Sequence, residues 1–491
     1  MIIPGSLRFF PGHPPGLKTL FLTEMWERFS YYGMRALLMV FMLTPAAAGG
    51  LGFSAHKGGL VYGTYTLCVY VLSILGGFIA DNFLGARRTV LIAGIIIAAG
   101  HYTLALHSEA TFMAGLVLVA LGSGLLKPNM SSMVGSLYEP GDPRRDSGFS
   151  IFYMGVNLGA LSAPIVTGFL AQDPRWKRCL AAAGIDPLSS WHWGFAAAGV
   201  GMTIGLTVYV LTGRQIAHVG KAPDASVPRP WGKLALVTLA IAGFLAYVAK
   251  SDQPGFGWMR GAYVVGPVAA ALAFGFRRSL DARRMAAIAV LFTAAMAFWI
   301  IFEQAGSTMA IFCDRLTRAQ ILGFSFPSAW FQAVNPLFVI LLAPVFAWAW
   351  TRMGTRQPSS PLKFTFGLVF LGLSFALMVP AAHLTAQGRV SPLWIVGLFF
   401  LQTLGELCLS PIGLSTMTKL APPRLVGLIL GVWFLADALG NKVAGALAGE
   451  FRGDPAWLAS FFSRQALAVG AVAVVLLALV PWVKRLMGGV R

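Results

Sequence analysis

Apolar residues run in long unbroken stretches along this chain, and short polar stretches separate them. A helix of about 20 apolar residues spans the hydrocarbon layer of a bilayer. Counted that way, the pattern predicts helices at 17–44, 58–80, 87–107, 111–138, 147–171 and 191–213. Two plainer helices follow at 231–250 and 260–278, then six more at 286–312, 326–351, 362–382, 393–420, 424–449 and 464–487. The expected count is fourteen, grouped six, two and six.

Composition agrees with lipid as the main solvent. Of 491 residues, 57% are hydrophobic and only 11% are charged, whereas soluble domains carry about 25% charged residues. The net charge of +19 would suggest nucleic acid in a soluble chain. Here the positive residues sit in the short loops: Arg87 and Arg88, Arg144 and Arg145, Arg214, Lys221 and Arg229, Arg277 with Arg278, Arg283 and Arg284, Arg352 with Arg356 and Lys363, and Lys484 with Arg485. If every span crosses, all of these fall on one side, which the positive-inside rule makes cytoplasmic, with both termini inside. Arg175, Lys177 and Arg178 are an exception in a long loop of the other side. The partner implied by the charge is an anionic lipid surface and not nucleic acid. The start of the chain lacks a basic stretch, a following apolar stretch and a small-residue cleavage site, so no cleaved leader is expected. Cys68, Cys179, Cys313 and Cys408 have no metal or redox spacing. A Cys179–Cys313 disulfide would tie together two halves expected to move, and is not expected.

A few charges lie well inside apolar runs, where each costs roughly 2.5–3.5 kcal/mol on insertion scales and marks a candidate functional site. The first helix carries Glu24, Glu27, Arg28 and Arg35 together with Tyr31 and Tyr32. Positions 24, 28, 31 and 35 share one face, Glu24 and Arg28 are one turn apart, and Glu27 beside them can take a proton. Snorkelling at the helix end is the plainer explanation, but two acids and two bases exceed what anchoring needs. Lys127 precedes Pro128, which breaks a backbone bond locally. Glu303 and Glu406 are isolated acids in long apolar helices. Asn157, Asn335 and Ser410 are buried hydrogen-bonding candidates, and Tyr70, Tyr153, Trp299 and Trp433 are aromatics near them; taken singly, each of these is more often packing. Bases (Arg35, Lys127) lie in the first half and acids (Glu303, Glu406) in the second. A cavity between such halves would be a dipole suited to a zwitterion. The two middle helices show no buried charge and read as a peripheral connector.

Asp81-Asn82-Phe83-Leu84-Gly85-Ala86-Arg87 after the second helix has a faint echo in Trp350-Thr351-Arg352-Met353-Gly354-Thr355-Arg356 after the tenth. This repeat resembles the major facilitator superfamily, in which two six-helix halves enclose a midplane site. Glu24-x-x-Glu27-Arg28-Phe29-x-Tyr31-Tyr32-Gly33 and Phe152-Tyr153-Met154-Gly155-Val156-Asn157-Leu158-Gly159 resemble signatures of the proton-coupled oligopeptide transporter family. Gly124 to Asn129, Phe298-Trp299 with Glu303-Gln304, Asn335-Pro336, and Gly405-Glu406 with Ser410-Pro411 are similar in turn, so the likeness runs from about Leu20 to Asn441. Val156 departs from the more common isoleucine, and no role is assigned to the long loop 173–190. Two extra middle helices also resemble the bacterial members.

The resemblance implies an all-α integral membrane protein of the major facilitator fold: a six-helix bundle at 1–215, a linker with two extra helices at 216–284, and a second bundle at 285–491. It implies proton coupling through Glu24, Glu27, Arg28, Lys127 and Glu303, and gating salt bridges Arg35–Glu303 and Lys127–Glu406. A peptide's amino end would meet Glu406, Asn157 and Asn335, and its carboxylate Arg35 and Lys127. Ser410 would join this site, and Tyr31, Tyr70, Trp299 and Trp433 would line side-chain pockets. The expected function is proton-driven import of di- and tripeptides by alternating access across the cell inner membrane. Protons are the coupling ion; no cofactor, metal or obligate protein partner is expected. The alternatives are a carrier of another small solute (nitrate, an amino acid derivative or a drug-like compound) and a non-transporting membrane protein. No catalytic constellation points to an enzyme.

Overall fold

In hydrocarbon every backbone amide and carbonyl must be satisfied, and for a single apolar segment the helix does this internally. The computed structural model describes residues 9–139, 142–224, 226, 228–253, 259, 261, 266, 269, 273, 282–421 and 426–488. Over these, the apolar runs form α1 (Gly16–Leu43), α2 (Ala55–Ile79), α3 (Ala86–Leu104), α4 (Glu109–Gly135), α5 (Arg145–Gln172), a short α6 (Pro174–Ala182), α7 (Ser190–Leu211) and α8 (Trp231–Ser251). There follow α9 (Ala282–Phe302), a short α10 (Thr308–Leu316), α11 (Val334–Met353), α12 (Ser360–Leu384), α13 (Leu393–Leu420), α14 (Val426–Ala448) and α15 (Pro455–Leu486). Each predicted span coincides with a described helix except the eighth, near 260–278, which lies largely outside the described residues.

Ten of the described helices or helical stretches are long and apolar enough to cross a membrane. α1 is not counted among them, because Lys18, Glu24, Glu27, Arg28 and Arg35 interrupt its apolar character. Three details differ from the sequence expectation. The span expected at 286–312 is broken by a tight 3-10 turn at Glu303–Gly306 between α9 and α10. The last helix starts earlier, at Pro455, where Asp454 accepts from the Trp457 amide at 2.7 Å as an N-cap. The loop 173–190 contains α6, which Asp173 caps by accepting from the Arg175 amide at 2.8 Å.

The chain packs as two compact units, Met1–Leu37 with Val71–Ile241, and Leu38–Tyr70 with Ala242–Arg491. In the first, Leu17, Leu20, Ile97, Leu126, Met130, Met133, Met202 and Tyr209 share a buried cluster. Glycines bring its helices together. A Cβ on Gly159 of α5 would fall 2.2 Å from the Met25 carbonyl of α1, and one on Gly124 of α4 would fall 2.5 Å from Leu72 of α2. In lipid such close backbone approach replaces the hydrophobic drive that water would give. In the second unit, a Cβ on Gly405 of α13 would fall 2.8 Å from the Gly367 carbonyl of α12, and Phe375, Phe461 and Phe462 pack edge to face.

In the two loops of the echo, Gly85 (φ 76) and Gly354 (φ 50) both take a positive φ two residues before an arginine. In the loop between α4 and α5, hydrogen bonds from Arg144 hold the Asp142 carboxyl down at about 2, and Arg144 donates to the Gly12 carbonyl at 2.8 Å. A carboxyl depressed in this way keeps its contact above its ordinary range and loses it only as pH falls through about 2, so the clasp is intact at physiological pH.

Gly159→Val should cost about 2 kcal/mol or more by overpacking at Met25. In α8, Gly243 has no atom within 4 Å of its would-be Cβ. Gly243→Ala should therefore leave thermal stability in detergent unchanged or slightly raised. Equal melting temperatures for the two variants would refute the glycine-contact account.

Candidate functional site

The cluster expected on α1 is assembled. Arg28 Nε lies 3.0 Å from Glu24 Oε1 and 2.5 Å from Glu27 Oε2. Their side chains are 5%, 7% and 0% exposed respectively. The contacts are between charges and lack good hydrogen-bond geometry: Glu24 Oε2, both Glu27 oxygens and Arg28 Nη2 have no hydrogen-bond partner. Two carboxylates therefore face one guanidinium in a dry place. α5 and α7 wall the cluster in. Gly155 of α5 seats on Phe21, Gly159 on Met25, and Gly201 and Gly205 of α7 on Phe29 and Trp26. The Phe152–Gly159 motif is thus partly a helix-contact motif, and Asn157 within it donates to its own helix at the Tyr153 carbonyl, 2.9 Å.

Two cations lie near the Tyr31 ring, with Arg28 Cζ at 5.5 Å and Lys127 Nζ at 5.7 Å from its centre. The ring's negative face favours both. Lys127 is half-buried on α4, one residue before Pro128. Asn129, next after it, is 2% exposed and donates to the Gly76 and Leu125 carbonyls at 3.2 and 2.7 Å, which ties the broken stretch to α2. Arg35 is partly exposed on α1, one turn beyond Tyr31. Tyr153 is exposed.

In the second unit, Asn335 of α11 donates to Glu406 Oε2 and to Thr403 Oγ1 of α13, both at 3.0 Å. One amide thus fixes the carboxylate of Glu406 and the hydroxyl one turn before it. Glu303 is buried in the 3-10 break after α9, beside Gln304, which is fully buried with Oε1 unsatisfied. Trp299 is buried with Nε1 unsatisfied, and Gly440 of α14 packs on its backbone. Trp433 of α14 stacks over Gly413 of α13, 6.0 Å from Phe364. Ser410 and Tyr70 are partly exposed on α13 and α2. Arg35 and Lys127 belong to the first unit, and Glu303 and Glu406 to the second.

Two charged groups escaped the sequence reading. Asp437 of α14 accepts from Asn441 at 2.8 Å and lies within electrostatic reach of Glu406, as does Glu303, so the second unit gathers three acids. Lys442, also on α14, is 1% exposed and ion-paired with Asp252, the residue after α8. The signal was present in Asp437-Ala438-Leu439-Gly440-Asn441-Lys442, an acid and a base within one apolar helix. The pair also shows that the middle segment read as a bare connector supplies a carboxylate to the helices beside it. All four cysteines are free. Among the described residues no group of three or more His, Cys, Asp or Glu is arranged to hold a metal ion.

An all-helical membrane protein with ion pairs and unsatisfied polar atoms deep in its spanning helices has the make-up of a solute carrier of the major facilitator type. The sequence profile of the POT family matches residues 87–453, three quarters of the chain. The chain is 38% identical to the "Peptide transporter YePEPT" of Yersinia enterocolitica subsp. palearctica, over 99% of this chain and 98% of the relative. It is 36% identical to the "Di-/tripeptide transporter" of Lactococcus lactis subsp. cremoris, over 98% of each. Among solved structures, a peptide transporter POT mutant in complex with alafosfalin superposes with a TM-score of 0.87 at 39% identity, covering 98% of this chain and 97% of that one. A POT family transporter in complex with 5-aminolevulinic acid gives 0.83 at 32% identity, covering 97% and 98%. The chain belongs to the proton-coupled oligopeptide transporter (POT) family, and it is a transporter and not an enzyme.

Removing the shared cation tests the α1 cluster. Arg28→Met would leave two buried carboxylates facing one another and should lower stability by about 3–5 kcal/mol. Arg28→Met combined with Glu24→Gln and Glu27→Gln should recover most of that in a detergent melt. If the triple variant is no more stable than the single one, the cluster is not held by charge.

Proposed function

We propose that this protein imports di- and tripeptides with protons across the cell inner membrane, by alternating access. The observation that carries the reading is the buried Glu24–Arg28–Glu27 group beside Lys127, together with full-length similarity to proteins named as di- and tripeptide transporters. Neither oxygen of Glu27 has a hydrogen-bond partner beside its charge contact with Arg28. In this reading Glu24, Glu27 and Arg28 couple the proton, with Lys127 and Glu303 answering its movement. Glu406, held by Asn335, receives the peptide's ammonium with Asn157 near its path. Arg35 and Lys127 receive the carboxylate, and Tyr31, Tyr70, Trp299, Ser410 and Trp433 meet the side chains. Arg35 with Glu303 and Lys127 with Glu406 are charge pairs that break and remake during the cycle. Both termini are cytoplasmic, where the loop arginines favour them. The working division is 1–215, 216–284 and 285–491.

The direct test is uptake of labelled dialanine into proteoliposomes with an inside-alkaline gradient. Concentrative uptake is expected, and its absence in folded protein would overturn the peptide reading in favour of another small solute. Glu27→Gln should abolish gradient-driven accumulation while peptide exchange partly survives; undiminished accumulation would remove Glu27 from the coupling role.

Lys127→Ala should weaken peptide affinity by about tenfold or more, the scale of a charge-assisted hydrogen bond. Unchanged affinity in a binding titration would leave that lysine no part in holding the carboxylate.

A further inference from the structure

A buried ion pair that the site does not use lies in the second unit, where three helices meet. Lys442 of α14 pairs with Asp252 at the end of α8 and donates to Thr64 Oγ1 of α2 at 2.7 Å. The lysine side chain is 1% exposed and the aspartate 13%. One turn further, α2 and α14 touch backbone to backbone. A Cβ on Gly59 would lie 2.2 Å from the Gly445 carbonyl, one on Gly63 2.9 Å from the Lys442 carbonyl, and one on Gly445 2.5 Å from the Gly59 carbonyl. Gly449 faces His56 with a would-be Cβ 3.2 Å from its Cα. α2 thus presents Gly59-x-x-x-Gly63, and α14 with the residue just after it Gly445-x-x-x-Gly449, the arrangement that lets bare backbones associate in lipid.

A seam of this kind is held by van der Waals contact and weak Cα–H···O bonds, each small. Such a seam gains from one directional element that pins it. Lys442 is that element: it reaches across to the α2 hydroxyl while its charge is neutralised from α8. If α2 leaves α14, the ammonium exchanges Thr64 for water but keeps Asp252. The aspartate is what permits the lysine to be buried when the seam is closed.

We propose that Thr64, Lys442 and Asp252 are positioning residues for transport, forming a latch that holds the α2–α14 seam shut, and that α8 takes part in the transport cycle by supplying the latch's counter-charge. The proposal rests on transport by opening and closing and not on which solute is carried.

Spin labels at Lys57→Cys, on the exposed start of α2, and Glu450→Cys, just after α14, in a background with the four native cysteines replaced by serine, report the seam by pulsed electron resonance without substrate. Thr64→Val keeps the charge pair and should raise the open-to-closed ratio about two- to tenfold, the worth of one hydrogen bond. Asp252→Asn buries an ammonium without its counter-charge and should raise it on the order of a hundredfold. Asp252→Asn with Lys442→Gln removes both charges and should return most of the closed population. A merely structural tie between α8 and its neighbours would lower melting temperature without moving the distance distribution. An unchanged distribution in folded Thr64→Val, or a double variant as open as Asp252→Asn alone, would overturn the latch. If Asp252→Asn does not fold, Thr64→Val and the double variant decide the matter.

Discussion

A charge inside a low-dielectric, water-poor helix packing must find an opposite charge or give up its ionisation, and the deep chemistry of this chain follows from that. Arg28 meets the requirement for Glu24 and Glu27 at once, yet no good hydrogen bond holds either oxygen of Glu27. The cluster is held by shared charge, one guanidinium between two carboxylates, and not by an arginine fork to each.

The second constraint is how helices adhere in lipid. Apolar side chains gain little by leaving lipid for other apolar side chains, so helices associate where backbones can come close. Gly159 against Met25, Gly124 against Leu72 and Gly405 against Gly367 are such places. The motifs that read as functional therefore do two jobs. Gly155 and Gly159 position α5 so that α1 presents Arg28 and its two acids in a closed space, and Asn157 between them satisfies itself on its own helix while lying on the same element.

Most of the architecture was legible in the sequence because apolar length is a direct physical requirement for crossing a membrane. The Glu24, Glu27 and Arg28 cluster was legible for the complementary reason: a charge in such a run is costly and stands out. What was not legible depended on local geometry or on distant partners. The break at Glu303 leaves the run apolar and so does not show as a gap. α6 hides in a loop because a helix of nine residues has no long periodicity. Asp437 and Lys442 could be seen as charges within α14, but that Lys442 finds Asp252 almost two hundred residues away is a matter of packing. Asn335 and Glu406 each stood out as polar in apolar helices, but the bond between them was not legible, because nothing in spacing joins α11 to α13.

The four free thiols differ in a way that matters at the bench. Cys313 and Cys408 are buried and Cys68 is partly covered, whereas Cys179 is exposed on α6, whose start is fixed by the Asp173 cap. Thiol reagents react through the accessible thiolate. A bulky, membrane-impermeant maleimide will therefore find one principal point of attachment on the native chain. Applied to intact cells, it would also read out which face of the membrane that short helix occupies.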